Sequence, residues 1–293
     1  MKSGFVSIIG RPNTGKSTLL NTIINNKVAI VSDVAGTTRN SIHGVYNDSE
    51  AQIVFVDTPG IHKPVDKLGT ALNKEAYSSL SSIDAILFVV DASTGIGKGD
   101  KFIINAFKNG DVPVILVLNK IDKLNNEGIL NAINNYKDLY DFAEIIPLSA
   151  LKNDNVDRLI KVLKTYINDT IKYYDDGVLT NVSNYFLASE FVREKVLELT
   201  KNEVPHSVTC ITTKYEEKVN IININVDIIV SRANLKKIII GRGGNMLKNI
   251  GSRARVDLEN KFGKQVYLEL YVKTIENWRD KERYLKEFGI IDE

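Results

Sequence analysis

Gly10-Arg11-Pro12-Asn13-Thr14-Gly15-Lys16-Ser17-Thr18 fits the pattern GxxxxGK[ST]. It follows an apolar run, Phe5–Ile9, and opens a helix-length segment, Ser17–Ile24. A strand before and a helix after are the context that marks a phosphate-cradling loop. The glycines let the backbone wrap an anion with its N–H groups inward. Lys16 brings a positive charge to β- and γ-phosphates, and the Ser17 hydroxyl can bind Mg²⁺. The helix N-terminus adds a favourable field for the same anion.

Beyond that loop, the first half of the chain repeats one unit of apolar run, polar turn and helix-length segment. The runs are Phe5–Ile9, Ile53–Val56, Ile86–Val90, Val114–Leu118 and Ile145–Leu148. Runs this continuous fit parallel strands buried on both faces. Ser41–Tyr46 is weaker and alternates, which suits an antiparallel edge strand. The spacing predicts a doubly wound α/β P-loop domain over residues 1–168, with a mostly parallel six-stranded sheet.

Three short motifs follow buried runs, where the ligand crevice of such a sheet lies. In Asp57-Thr58-Pro59-Gly60, the acid can hold Mg²⁺ through water and Gly60 lets the backbone approach a γ-phosphate. In Asn119-Lys120-Ile121-Asp122, the acceptor-only carboxylate of Asp122 suits the paired N1–H and N2–H₂ donors of guanine. Adenine lacks that pair, so a kinase or ATPase reading fails here. Lys120 can lie against the base, and Asn119 can tie this loop to the phosphate loop. Ser149-Ala150-Leu151 follows the last run and can offer a backbone N–H to guanine O6. Between the phosphate loop and Asp57 lies Ala35-Gly36-Thr37-Thr38-Arg39. Either threonine hydroxyl can complete a Mg²⁺ shell, in a segment able to rearrange when a γ-phosphate leaves.

Around 169–184 the texture turns polar and includes a DDG turn signal, which reads as a linker. The remainder, 185–293, follows the order α-β-β-α-α-β-α: Ala188–Leu199, Ser207–Thr213, Val219–Val230, a helical piece reaching a glycine cluster, Met246–Phe262, Val266–Val272 and Glu276–Phe288. The cluster Gly241-Arg242-Gly243-Gly244 joins two of these helices. GxxG between helices, in this order of elements, resembles the type II KH fold, whose loop clamps a nucleotide backbone. Lys236, Ile240, Gly241, Arg242, Gly243, Gly244 and Lys248 are the candidate RNA contacts. Residues 231–273 hold ten Lys+Arg against three acids, a local excess of +7 and an electrostatic footprint for phosphate backbones.

The totals set outer limits. The 293 residues, 43% hydrophobic and 25% charged, suit two globular domains. The overall charge is only +2, and so hides the basic stretch. Cys210 is the single cysteine, which excludes a disulfide framework and a cysteine zinc site. His43, His62 and His206 show no metal-ligand spacing. The N-terminal apolar stretch is broken too early for a signal peptide, and no run reaches bilayer-spanning length. A cytoplasmic protein is the expectation.

GRPNxGKS, TTR, DTPG, NKxD and SA occur here in the order and spacing of the translation-factor-like GTPases, which the chain resembles. Ile61 stands where Ras-type proteins carry the glutamine that orients water. That matches the hydrophobic-substituted branch of these GTPases. With the C-terminal GxxG domain, and with segments Ala188-Ser-Glu-Phe-Val-Arg-Glu-Lys-Val and Leu268-Glu-Leu-Tyr-Val-Lys, the whole chain resembles the bacterial Era family. The resemblance implies hydrolysis of GTP to GDP, with Lys16, Thr38 and Gly60 in the catalytic roles. It favours Thr38 over Thr37 as a Mg²⁺ ligand beside Ser17 and Asp57, and gives Asn13 as the residue to hold a K⁺ ion. It implies binding to the 3′ end of 16S ribosomal RNA, a part in 30S subunit maturation, a monomer, and peripheral contact with the inner face of the cell membrane. Thr14 replaces a usual valine, and AGTTR replaces the common PQTTR. Two other readings compete: a tRNA-modification-type GTPase, disfavoured because the C-terminal GIIDE has no cysteine motif, and a constitutive KH adaptor with a vestigial nucleotide site, disfavoured by intact Lys16, Ser17, Asp57 and Asp122.

Overall fold

Each apolar run of the first half becomes a strand, and three of these strands are buried along their whole length. The computed structural model describes every residue except 33, 35, 62, 63, 65, 79–81, 108–109 and 292–293; Ala35 and His62 therefore lie outside the described residues. The strands are β1 (Lys2–Ile9), β2 (Ile42–Asn47), β3 (Ala51–Asp57), β4 (Ala85–Asp91), β5 (Val114–Asn119) and β6 (Glu144–Pro147). All residues of β3, β4 and β5 are buried. Helices α1 (Lys16–Ile24), α2 (Lys67–Ser78), α3 (Lys98–Phe107), α4 (Asn126–Lys137) and α5 (Val156–Tyr166) alternate with them. In α5 the buried residues are Val156, Leu159, Ile160 and Leu163, a single helical stripe.

The sheet order is β2-β3-β1-β4-β5-β6. Only β2 runs antiparallel, paired with β3, as its alternating edge-strand pattern suggested. The chain leaves β1 toward β3 on one side and toward β4 on the other, so a switch point of the sheet lies beside β1. In open α/β sheets the ligand crevice forms at such a point, outside the carboxyl ends of the strands.

Contacts group the described chain into two units. The first comprises 1–29, 36–64 and 69–181; the second comprises 182–293 with the short pieces 30–35 and 65–68. The polar stretch 169–181, read above as connector, packs within the first unit. Ser3 and Asp169 exchange backbone hydrogen bonds of 2.7 and 3.1 Å. The buried Gln52 accepts from the N–H groups of Tyr173 and Tyr174 (2.8 and 3.0 Å) and donates to the Tyr174 carbonyl (2.9 Å). Polar composition looked like a solvated linker because those partners are distant in sequence.

The second unit has helices α6 (Asn184–Leu199), α7 (Val204–Ser207), α8 (Ala233–Ile240), α9 (Asn245–Phe262) and α10 (Glu282–Glu287), with strands β7 (Val208–Glu217), β8 (Ile221–Val230) and β9 (Gln265–Thr274). β7 pairs antiparallel with β8, and β8 parallel with β9. Ile222, Ile224, Val226, Ile228 and Val230 alternate along β8 and enter the same core as Leu235, Ile250, Ala254 and Leu258 of the helices. The terminal helix expected over Glu276–Phe288 is instead a 3₁₀ turn, Trp278–Asp280, followed by α10. Asn277 sits in the left-handed region (φ 51°), and Trp278 turns inward to full burial, its indole N–H 3.2 Å from the Ser207 carbonyl. Burial of the ring outweighs the helical pattern.

Phe88 on β4 is fully buried and packs edge-on against Phe107, with centroids 5.6 Å apart. Phe88→Ala is expected to cost about 3–5 kcal/mol, read as an earlier urea midpoint for the first unit.

Candidate nucleotide site and nucleic-acid interface

The phosphate loop forms between β1 and α1 as the motif demands. Gly15 takes a left-handed conformation (φ 92°), and a Cβ there would lie 2.3 Å from the Asn119 amide nitrogen. Lys16 is 6% exposed, its ammonium donating to the carbonyls of Gly10 (3.2 Å) and Arg11 (3.0 Å). Burial pulls its pKa down to about 8, opposed by the nearby Asp57 charge. The backbone oxygen of Arg11 also accepts from the Thr14 hydroxyl at 3.0 Å.

Three oxygens converge beside the lysine. The Ser17 hydroxyl donates to Asp57 Oδ2 at 2.7 Å and stands 3.1 Å from the Thr38 hydroxyl, which lies 3.4 Å from the same Oδ2. Asp57 Oδ1 is buried with no hydrogen-bond partner. Burial pushes the Asp57 pKa up, against the pull of Lys16, Ser17 and Thr38. Two hydroxyls and a buried carboxylate with an orphaned oxygen are a hard, oxygen-only donor set of the kind Mg²⁺ takes. Thr58 turns away, its hydroxyl donating to the Ile8 carbonyl at 2.9 Å. Pro12 and Gly60 are neighbours: a Cβ on Gly60 would lie 3.0 Å from the Pro12 nitrogen.

Asn119 ties three loops together. Its amide N–H donates to the Thr14 carbonyl (2.8 Å), and its Oδ1 accepts from the N–H groups of Lys120 (2.8 Å) and Ala150 (3.0 Å). The Lys120 ammonium donates to the Asn13 carbonyl (2.6 Å) and pairs with Asp91 (2.8 Å). Asp122 Oδ1 accepts from the Ser149 hydroxyl at 2.5 Å, which fixes the carboxylate. The Ser149 N–H goes to the Asp154 carbonyl and the Ala150 N–H to Asn119. The triplet's candidate donor to a base is therefore the N–H of Leu151, whose side chain is 72% exposed. Thr18 is half-buried in the first turn of α1.

In the second unit, α8 ends and α9 begins across Gly241–Gly244. Gly241, Gly243 and Gly244 all have positive φ, and a Cβ on Gly241 would fall 2.7 Å from Met246 Cβ. Beside this turn runs a groove of about 450 Å³ between α9, with Leu247, Lys248 and Arg255, and β9, with Tyr267, Leu268 and Leu270. Arg242 and Lys248 are exposed, Lys236 is half-exposed, and Ile240 packs on the core. The basic excess is partly spent within the fold: Lys264 pairs with Glu217, Lys273 with Asp227, Arg232 with Glu203 and Arg255 with Glu259. Among the described residues Lys236, Lys237, Arg242 and Lys248 have no ion pair.

Comparison with known proteins follows this division. A family described as 50S ribosome-binding GTPase matches residues 5–120, and one described as KH domain matches residues 203–279. Two solved structures match 100% of this chain and 100% of their own, each at 42% identity and a TM-score of 0.96. One is an Era variant of Aquifex aeolicus bound to GDP·AlF₄⁻; the other is Era in complex with MgGDPNP and nucleotides 1506–1542 of 16S ribosomal RNA. The chain belongs to the Era family. It therefore joins a GTPase domain to a KH domain, as its two halves suggested.

Several groups at this Era-family site escape the motifs. Asp91 closes β4 at the same sheet edge and pairs with Lys120; an acid ending a buried strand was the signal for it. Ser252, Arg255 and Tyr267 line the groove, and only the strand–helix packing shows it. Ile61 is 1% exposed and packs with Ile9 and Phe88 in the core, so its side chain serves the sheet and not a water molecule. Among the described residues no helix is long and apolar enough to cross a membrane.

Gly15→Ala introduces a side chain at positive φ and against Asn119. It is expected to destabilise the first unit by more than about 1 kcal/mol, read as a lowered thermal midpoint.

Proposed function

We propose that this chain is a GTP-hydrolysing switch whose KH unit binds the 3′ end of 16S ribosomal RNA and which assists maturation of the small ribosomal subunit. The observation that carries this is the coexistence in one chain of an intact nucleotide cradle and a basic GxxG groove. The full-length likeness to Era bound to MgGDPNP and that RNA supports it.

In this reading the backbone of residues 10–18 and the Lys16 ammonium hold the phosphates. Ser17, Thr38 and Asp57 would hold Mg²⁺, which when bound would neutralise phosphate charge. Gly60 brings its backbone to the γ-phosphate. Asp122, held by Ser149, reads the guanine edge, Lys120 lies along the base, and Asn119 keeps the base and phosphate loops in register. Because the buried Ile61 side chain cannot orient water, charge stabilisation has to come from elsewhere, and a K⁺ ion at Asn13 is the proposed source. Turnover in KCl should then exceed turnover in NaCl.

The RNA backbone crosses Gly241–Gly244, where missing side chains allow close approach. Arg242 and Lys248 meet phosphates, and unstacked bases enter the groove beside Tyr267.

Filter binding of a 16S 3′-end oligonucleotide to the GTP-, GDP- and nucleotide-free forms tests the switch. Different affinities are expected; equal affinity in all three would refute it, because a ligand with no differential affinity shifts nothing. Asp122→Asn should lose at least about a hundredfold in GTP affinity and gain xanthine nucleotides; unchanged GTP selectivity would refute the base-reading role. Lys248→Ala should weaken RNA binding and lower the slope of log K against log[salt] by about 0.7.

A further inference from the structure

We propose that Asp100 is a positioning residue for the phosphate loop, acting through Arg11 to set how long a bound guanine nucleotide stays. The proposal rests on the nucleotide-site reading above and adds a residue that no motif contains.

Arg11 occupies a position that the GxxxxGK[ST] pattern leaves free. Its carbonyl takes hydrogen bonds from both Lys16 and the Thr14 hydroxyl, so its backbone orientation helps set the loop's shape. Its side chain leaves the loop and donates through Nε to Asp100 Oδ1 at 2.7 Å. The stem and guanidinium lie flat on two glycines before and within the first turn of α3. A Cβ on Gly97 would fall 2.6 Å from Nη1, and one on Gly99 2.6 Å from Cδ.

Asp100 is fully buried, and its second oxygen is also used. Oδ2 accepts from the Gly97 N–H (2.7 Å) and from the Tyr136 hydroxyl (3.2 Å). Tyr136 is itself fully buried and lies on α4, the helix that follows the base-reading loop Asn119–Asp122. Burial and the neighbouring Asp100 charge raise its pKa, which keeps the proton on the hydroxyl that donates. One carboxylate thus joins the phosphate loop, the N-terminal turn of α3 and the helix beyond the base loop. A charge held this deep requires its partner, so Arg11 is confined to one place and its carbonyl with it. A phosphate loop so confined does not have to reorganise around an incoming nucleotide or relax around a leaving one.

Stopped-flow release of a fluorescent GDP analogue from the full chain, with thermal midpoints measured alongside, tests this. Asp100→Asn keeps the volume and removes the charge; release at least tenfold faster is expected. Hydrolysis of already bound GTP in a single turnover should change less than twofold. Gly99→Ala is the second variant. It improves helix propensity at the start of α3, yet its methyl group displaces the Arg11 stem. It should therefore release GDP several-fold faster whatever its midpoint, and faster than the core variant Phe88→Ala does at an equal or larger fall in midpoint, a contrast that a merely structural role for Asp100 would not produce. Wild-type release from either variant that folds overturns the proposal. A wild-type chain that binds no GDP analogue overturns both this proposal and the reading of the site beneath it.

Discussion

The ammonium of Lys16 is the most demanding group in the first unit. It is almost wholly withdrawn from water, its hydrogen bonds go to two backbone carbonyls, and the opposing carboxylate, Asp57, is buried too. Burial disfavours the charged form of each. Such a pair is poor as a stabilising feature and good as a receptor. A polyphosphate would satisfy the lysine, and a divalent cation would satisfy the orphaned oxygen of Asp57. Below pH 8 the free protein carries the cost of keeping Lys16 protonated. Between about 8 and 10.5 the unfolded chain binds more protons than the folded one, so the folded state gains stability as pH rises.

The surrounding architecture keeps this unfavourable arrangement in place. β1 delivers Gly10, β3 delivers Asp57 and β5 delivers Asn119, all at the carboxyl edge of a sheet whose strands β3, β4 and β5 are fully buried. Asn119 then links the phosphate loop to Ala150, and Lys120 links it to Asp91. The second unit solves a different problem with similar means. Its turn carries three glycines, and among the described residues the nearby Arg242 and Lys248 have no ion pair, while Arg232, Arg255, Lys264 and Lys273 are neutralised within the fold.

Much of this was legible in the sequence because the signals are local. Continuous apolar runs located β3, β4 and β5, the alternation of Ser41–Tyr46 marked the antiparallel edge, and GxxxxGK[ST] placed the cradle. The parts that were not legible depend on long-range partners. Gln52 draws 169–181 into the first unit from more than a hundred residues away. The packing of Trp278 ends what its periodicity would make a longer helix. Asp100 and Tyr267 gain meaning only from the side chains that the fold brings to them. The +7 stretch pointed to the second unit, yet composition could not say which lysines the fold itself consumes.

The nucleotide site is built around a lysine whose charge the protein alone does not fully support. The most direct test is a pH titration of Lys16 by NMR, using Cε-labelled lysine, in the nucleotide-free chain and with GDP bound. The expected midpoint lies near pH 8 without nucleotide, and the lysine stays charged at about pH 10 when phosphates are present. A midpoint at the ordinary lysine value of about 10.4 in the free protein, unmoved by GDP, would contradict it.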